Sequence, residues 1–443
     1  MLDLLTQNFG IDAKTVACAL VLICYLILFS EKINRAVVTL LTATIMIFFG
    51  ILTQAQAFSG IDFNTISLLV GMMVIVNITE KSGLFQFVAV WGAKKVKAHP
   101  IGIMIMLAIV TAFFSAFLDN VTTVLLIVPV TFQITRKLGI NPFPYLILEI
   151  FASNIGGTST LIGDPPNILI GSALNLSFLD FLKTLAPVVI VCTIVLVAFF
   201  VLIWRKTLKT TDRNRASIMR MNEFESITDK VLLYKSLIVL TFTIGGFISA
   251  EYIHIANGVI ALFGAAILLL LYTLGETHYD RDEKTEDIFN LVDWTTIFFF
   301  CGLFMVVHAL EITGVLQILG EFFIDLTQSS IKKTVFLILG SSAVLSSAID
   351  NIPFVATMIP MLKSMEPAFG GREAMMPVWW ALSLGACFGG NGTLIGASAN
   401  VIVAGLASRE GHPIGFVRFL IWSIPVMLVS VLIAAVYLWI LYF

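Results

Sequence analysis

Charge is scarce in this sequence. Charged residues fill 12% of its 443 positions, about half the share of an ordinary soluble domain. A chain so poor in charge cannot present a normal aqueous surface. With 58% hydrophobic residues and a mean hydropathy of +0.99, most of that surface must face lipid. There is no basic stripe, and a net charge of −2 excludes a surface built to neutralise phosphates. Cysteine is sparse too: Cys18, Cys24, Cys192, Cys301 and Cys387 lie apart in apolar runs without CxxC or Cys/His spacing. Neither a disulfide framework nor a metal cluster is expected from them. Enzyme signatures are missing as well, since GTSTLIG (157–163) lacks the GxSxG pattern of a nucleophile elbow. No catalytic activity is expected. Asp3 and Asp12 precede the first basic residue, Lys14, the reverse of a cleaved leader, so none is expected.

Long apolar runs take the place of all this. A run of about 20 residues crosses a bilayer as a helix, and the fold class expected is an all-α polytopic membrane protein. The first half offers spans at 14–30, 36–53, 63–80, 143–175 and 179–204. The second offers 232–250, 257–274, 293–310, 376–407 and 414–441. The runs 143–175 and 376–407 are interrupted. Two further runs, 101–135 and 333–363, carry an Asp-Asn pair in mid-course and read as hairpins that enter and return on one side. Lysines and arginines gather on one side of this arrangement: Lys32, Arg35, Lys81, Lys94, Lys95, Lys97, Arg136 and Lys137, with Arg205, Lys206, Lys209, Arg213, Arg215, Arg220 and Lys230. The other side receives Lys14, Lys183, Lys332, Lys333, Lys363 and Arg372. By the positive-inside rule both termini are expected outside a cell membrane and the polar linker 205–231 in the cytoplasm. That linker divides the chain into membrane repeats at 1–204 and 232–443. The acidic stretch 275–291 reads as a solvated connector.

The two halves repeat each other. At an offset of 231, Asp62 meets Asp293, Gly71 meets Gly302, Glu80 meets Glu311 and Gly83 meets Gly314. The same offset pairs Asp119-Asn120 with Asp350-Asn351 and Pro129 with Pro360. At 233, GGTSTLIGDPPN (156–167) aligns with GGNGTLIGASAN (389–400). Five crossings per half require the second half to run inverted. Inverted repeats with broken helices point to a secondary transporter's midplane site.

The breaks supply the chemistry. Non-helical backbone at membrane depth survives only where protein or water satisfies it. In the first, Ser153, Asn154, Gly156, Gly157, Thr158 and Thr160 precede Gly163, Asp164, two prolines and Asn167. Prolines remove donors and clash with the preceding turn, so continuous helix is impossible there. The second break has Gly389, Gly390, Asn391, Gly392, Thr393, Gly396 and Asn400. A half-helix ending in free carbonyls suits a cation, and one beginning with free N–H groups suits an anion. The hairpin tips add Asp119, Asn120, Thr122 and Thr123, and Asp350 with Asn351. An intramembrane carboxylate is a functional hypothesis by default, although each Asp also stands where it could cap a helix. Both aspartates are candidate proton-coupling groups, and a sodium ion could be held at Asp119 and Asn120 or at Asp350 and Asn351. Glu149, whose equivalent is Leu382, is either a third proton-titrating group or a hydrogen-bonded structural residue. No Lys or Arg falls in the middle of a span, hairpin or break. An anion would therefore rest on N–H groups, Asn and Thr side chains or a co-bound cation.

SNIGGTSTLIGDPPN (153–167), LDNVTTVLLIVP (118–129), IDNIPFVATMIP (349–360) and GACFGGNGTLIGASAN (385–400) resemble the ion transporter superfamily. The resemblance is to the citrate-transporter-like and ArsB/NhaD-type permease branch that contains the pink-eyed-dilution P protein. The arrangement is also similar to the sodium-coupled dicarboxylate symporters. Their Ser-Asn-Thr tips become Asp119-Asn120-Val121 and Asp350-Asn351-Ile352 here, so only the Asn carries over. The resemblance implies a scaffold, a mobile unit moving in an elevator-like way, and a homodimer. The expected function is secondary active transport of a small inorganic or organic anion coupled to protons or sodium. A sodium/proton antiporter and an anion channel are the alternatives, and no cofactor beyond bound sodium is expected.

Overall fold

The structure is a computed structural model that describes residues 12–30 and 32–443. Most of the segment read for a leader, residues 1–11, lies outside them. The described chain is helical throughout, without strands. Among the described residues, eight helices are long and apolar enough to cross a membrane, including Phe63–Glu80, Phe178–Trp204, Trp294–Ile312 and Phe416–Tyr442. Shorter apolar helices include Arg35–Phe49 and Asn257–Thr273.

The repeated residues prove to be helix punctuation. Asp62 caps Phe63–Glu80 by accepting from the Asn64 and Thr65 N–H groups, and Asp293 caps Trp294–Ile312 through Thr296. A carboxylate there answers free donors and the positive helix end together. Gly71 and Gly302 share a packing role. A Cβ on Gly71 would lie 2.6 Å from the Ala261 carbonyl carbon, and one on Gly302 would lie 2.7 Å from the Leu40 nitrogen. Each therefore lets its helix meet a neighbour backbone to backbone, as small residues do within membranes.

Each hairpin run becomes two helices: Pro100–Ser115 with Asn120–Leu138, and Ile331–Ala348 with Asn351–Met365. The tips end inside protein, with Asn120 and Asn351 buried. Both interrupted runs are broken where glycine and proline demand it. Phe143–Gly157 gives way to non-helical backbone until Pro165–Leu174, and Arg372–Gly389 does so until Ser398–Arg409. Pro165 and Pro166 open their half-helix, where a missing N–H costs nothing. Among the helices not foreseen are the apolar Leu84–Lys95 and Val315–Thr327. Each is too short to span and starts after Gly83 or Gly314, both in the left-handed region.

The linker is more ordered than a polar loop. It forms a helix over Asp212–Met219 and docks beneath the first hairpin. Thr210 and Asn214 donate to the Leu138 carbonyl at the end of Asn120–Leu138. Thr228 donates through its backbone N–H to the Ser82 carbonyl and through its hydroxyl to that of Lys81. Lys94 pairs with Glu223 and holds its carboxyl below the usual range. The stretch 275–291 is likewise largely a helix, His278–Asn290, and Lys81 meets its Asp287 at 3.8 Å.

Gly83 is the tightest point of this docking. It has φ +81°, and a Cβ there would stand 1.8 Å from the Ser226 carbonyl oxygen. Gly50 has the same φ and open space around it. Gly83→Ala is expected to cost about 3 kcal/mol and Gly50→Ala about 1 kcal/mol, read by thermal unfolding in detergent. Equal losses would contradict the docked linker.

Candidate functional site

The half-helices that start at Asn120, Pro165, Asn351 and Ser398 bring their N-termini to one interior cavity of about 410 Å³. Three of the four residues just before them are aspartates, and they behave differently. Asp119 caps its own helix, accepting from the Thr122 N–H at 2.9 Å and from the Thr122 hydroxyl. Asp350 accepts from the Ile352 N–H at 3.3 Å and from the Ser398 hydroxyl at 3.2 Å. Asp164 does not cap its helix. Its Oδ1 instead accepts from Asn120 Nδ2 at 3.4 Å and from Asn351 Nδ2 at 3.3 Å. Its Oδ2 is buried without a hydrogen-bond partner. One carboxylate oxygen thus joins the two tips, and the other is left unpaired.

A relay of amides stands behind it. Asn154 accepts from Asn120 at 3.2 Å and donates to Asn391 and to Asn400, each at 2.9 Å. This side chain ties the first break to the second. Asn167 donates to the Thr158 and Thr160 carbonyls and accepts from Ser383, while Asn400 donates to those of Gly390 and Thr393. Thr160 and Thr393 reach back to the tip carbonyls of Ala116 and Ser347. Ser115 donates to the Ser153 carbonyl as Ser346 does to that of Ala386. These bonds satisfy backbone that would otherwise be orphaned at membrane depth. The glycines permit close approach. A Cβ on Gly156 or Gly389 would strike the Ala112 or Ala343 carbonyl, and Gly157 with Gly163, like Gly390 with Gly396, are in near backbone contact. Gly392 lies against Met427 and its carbonyl accepts from Ser423.

Not every expected residue reaches the cavity. Asp119, Asn120, Thr122, Asp164 and Asn351 line it. Thr123 is buried behind the tip with its hydroxyl unpartnered. Glu149 lies away from the cavity, bonded to the Thr131 hydroxyl at 2.5 Å, with its other oxygen unpartnered. Asp350 faces a neighbouring cavity of about 380 Å³. Residues outside the expected set also line the central cavity: Arg35, Asn77, Glu80, Asp293 and Thr296. Arg35 starts its helix rather than sitting inside a span, so a search for mid-span cations passes over it. Its side chain nevertheless reaches inward. The recurrence of Glu80 and Asp293 at the repeat offset was the available signal for those two.

A cavity of about 290 Å³ lies at the opposite end of the helices Phe63–Glu80 and Trp294–Ile312. Its Asp62, Phe304, His308 and Glu311 are the repeat partners of Asp293, Met73, Asn77 and Glu80 in the central cavity. The same wall is thus built at both ends of the interface, with a histidine replacing an asparagine in one copy.

Residues 25–385 match the family model described as citrate transporter. The chain belongs to the citrate transporter family. Within the wider set of relatives, an uncharacterized transporter of Mycobacterium tuberculosis is 42% identical, the match covering 97% of this chain and 99% of that one. The human P protein is 32% identical over 96% of this chain, which spans 59% of the longer P protein. Two solved transporters share the fold at low identity. YdaH of Alcanivorax borkumensis has a TM-score of 0.59 at 13% identity, covering 90% of this chain and 88% of its own. MtrF of Neisseria gonorrhoeae, described as illuminating a class of antimetabolite efflux pumps, has 0.55 at 12%, covering 89% and 83%. This citrate transporter family member is a multi-pass membrane transporter.

Asn154 bonds both asparagines of the second break. Asn154→Ala is expected to leave buried amides of Asn120, Asn391 and Asn400 short of partners, at about 1–3 kcal/mol. Thermal unfolding of the purified protein reads this loss, and Ser59→Ala at the exposed end of the helix Gln54–Ser59 serves as the unaffected control. No loss would mean that the breaks are held together elsewhere.

Proposed function

We propose that this protein is a secondary active transporter in which a proton or sodium ion binds at Asp164 and is coupled to a small carboxylate or inorganic anion carried in the adjoining cavity. One observation carries this reading: the buried Asp164 Oδ2, without a partner, beside an Oδ1 shared by the asparagines of both hairpin tips. An open carboxylate oxygen in a low-dielectric interior is a binding position for a cation or a proton. Converging helix N-termini and the Asn120, Thr122 and Asn351 side chains supply donors for an anion beside it. Membership of the citrate transporter family supports an anion as cargo. The elevator-like movement and the homodimer rest on the family resemblance.

A second reading, sodium/proton antiport, has its own support. Glu80, Asp119, Asp164 and Asp293 line the cavity against Arg35 alone. That excess of acid favours cations over anions.

Proteoliposomes with imposed sodium and proton gradients and a panel of anions including citrate separate these readings. The expected result is saturable, gradient-driven anion uptake that Asp164→Asn reduces at least about tenfold, the loss of a group needed for coupling. Asp119→Asn is expected to reduce it less, because that side chain is occupied in capping. Sodium-dependent proton flux without anion dependence would establish the antiporter instead. Normal transport by Asp164→Asn would refute the site.

A further inference from the structure

The two hairpin tips match in sequence but not in electrostatic surroundings. Asp119 receives its hydrogen bonds from Thr122, within its own tip, and no Lys or Arg pairs with it among the described residues. Asp350 is met by Arg35, whose guanidinium stands 3.3 Å from its Oδ2.

Arg35 is held on several sides. It donates to the Ser398 hydroxyl at 2.6 Å and to the Thr296 hydroxyl at 2.9 Å, and it lies 5.2 Å from the centre of the Phe299 ring. Its position is costly in isolation. As the first residue of Arg35–Phe49 it places a cation at the positive end of a helix, where the dipole disfavours it. The bonds across to the second tip and the second break offset that cost. The first half has no counterpart for the arrangement, because the residue equivalent to Ser398 is Pro165, which has no hydroxyl to share. Arg35 also lines both the central cavity and the 380 Å³ cavity that Asp350 faces. It is the one Lys or Arg lining the central cavity among the described residues.

A guanidinium is always charged and, unlike sodium or a proton, cannot leave. We propose that Arg35 is a built-in counter-ion for Asp350. It takes the place of a mobile cation at the second tip, so the carrier has one exchangeable cation site, at Asp164, rather than two. This rests on the cation-coupled reading above. Without Arg35, Asp350 becomes an uncompensated carboxylate facing a cavity, which is what recruits a second mobile cation.

The test is the charge displaced when proteoliposomes on a solid-supported membrane receive a sodium jump or, separately, a pH jump. For whichever cation drives the wild type, Arg35→Gln is expected to raise the displaced charge per carrier about twofold and the Hill coefficient from about 1 toward 2, as one added site requires. Arg35→Lys keeps the charge and is expected to keep the one-cation displaced charge and Hill coefficient, whatever its transport rate. Arg35→Gln combined with Asp350→Asn is expected to return to the one-cation value. An unchanged Arg35→Gln, or a double variant that does not return, overturns the inference. If Arg35→Gln is not monodisperse on purification, the double variant decides: one-cation charge supports the inference and loss of charge overturns it. Asp164→Asn in the wild-type background separates the two proposals. Charge that survives it sinks the Asp164 site while the Arg35 comparison still stands or falls by its own variants. A wild type that displaces no charge on either jump overturns both.

Discussion

Asn120 and Asn351 come from hairpins in opposite halves of the chain, yet their amides meet on a single oxygen of Asp164. Most of the interior follows from what that junction requires. Two helices must stop at membrane depth for the asparagines to reach inward, and two more must break for Asp164 and its amide relay to stand between them. Every stop and break releases backbone donors and acceptors into a region without bulk water. The asparagines answer this twice over. Asn167 and Asn400 close the broken backbone of their own half, and Asn154 carries the network across to the other. The polar centre is therefore also the mechanical centre, and changes there should disturb stability and transport together.

The residue matches between the halves account for the scaffold better than for the chemistry. Caps at Asp62 and Asp293, close packing at Gly71 and Gly302, and the serine and threonine bonds from hairpin to break occur in both halves. The charged groups diverge. Asp164 corresponds to Ala397, Pro165 to Ser398 and Asn77 to His308. A pseudo-symmetric frame thus carries one open carboxylate, one carboxylate held by arginine, and walls of different chemistry at its two ends.

The sequence made the class, the hairpins and the breaks legible because lipid imposes length and polarity rules that few alternatives satisfy. SNIGGTSTLIGDPPN could not be read as continuous helix, and the structure breaks it there. Weight within the site was harder to assign. Asp119 and Asp350 stood out because they repeat, and in the structure both cap helices. Asp164 looked like a feature of one half alone. Only folding shows it between both tips. Arg35 was hidden for a related reason: its Cα belongs to a helix end, and a long flexible side chain brings its charge some distance from there. The helices Leu84–Lys95 and Val315–Thr327 escaped notice because a search for spans passes over 12 and 13 residues.

The convergence of both tips on Asp164 is open to direct observation by cryo-electron microscopy of the purified protein in lipid nanodiscs, at a resolution that places side chains. The expected map has the Asn120 and Asn351 amides both within hydrogen-bond reach of one Asp164 oxygen, with the other oxygen buried and without a hydrogen-bond partner. An Asp164 bonded to its own helix N-terminus, with the two asparagines apart, would contradict it.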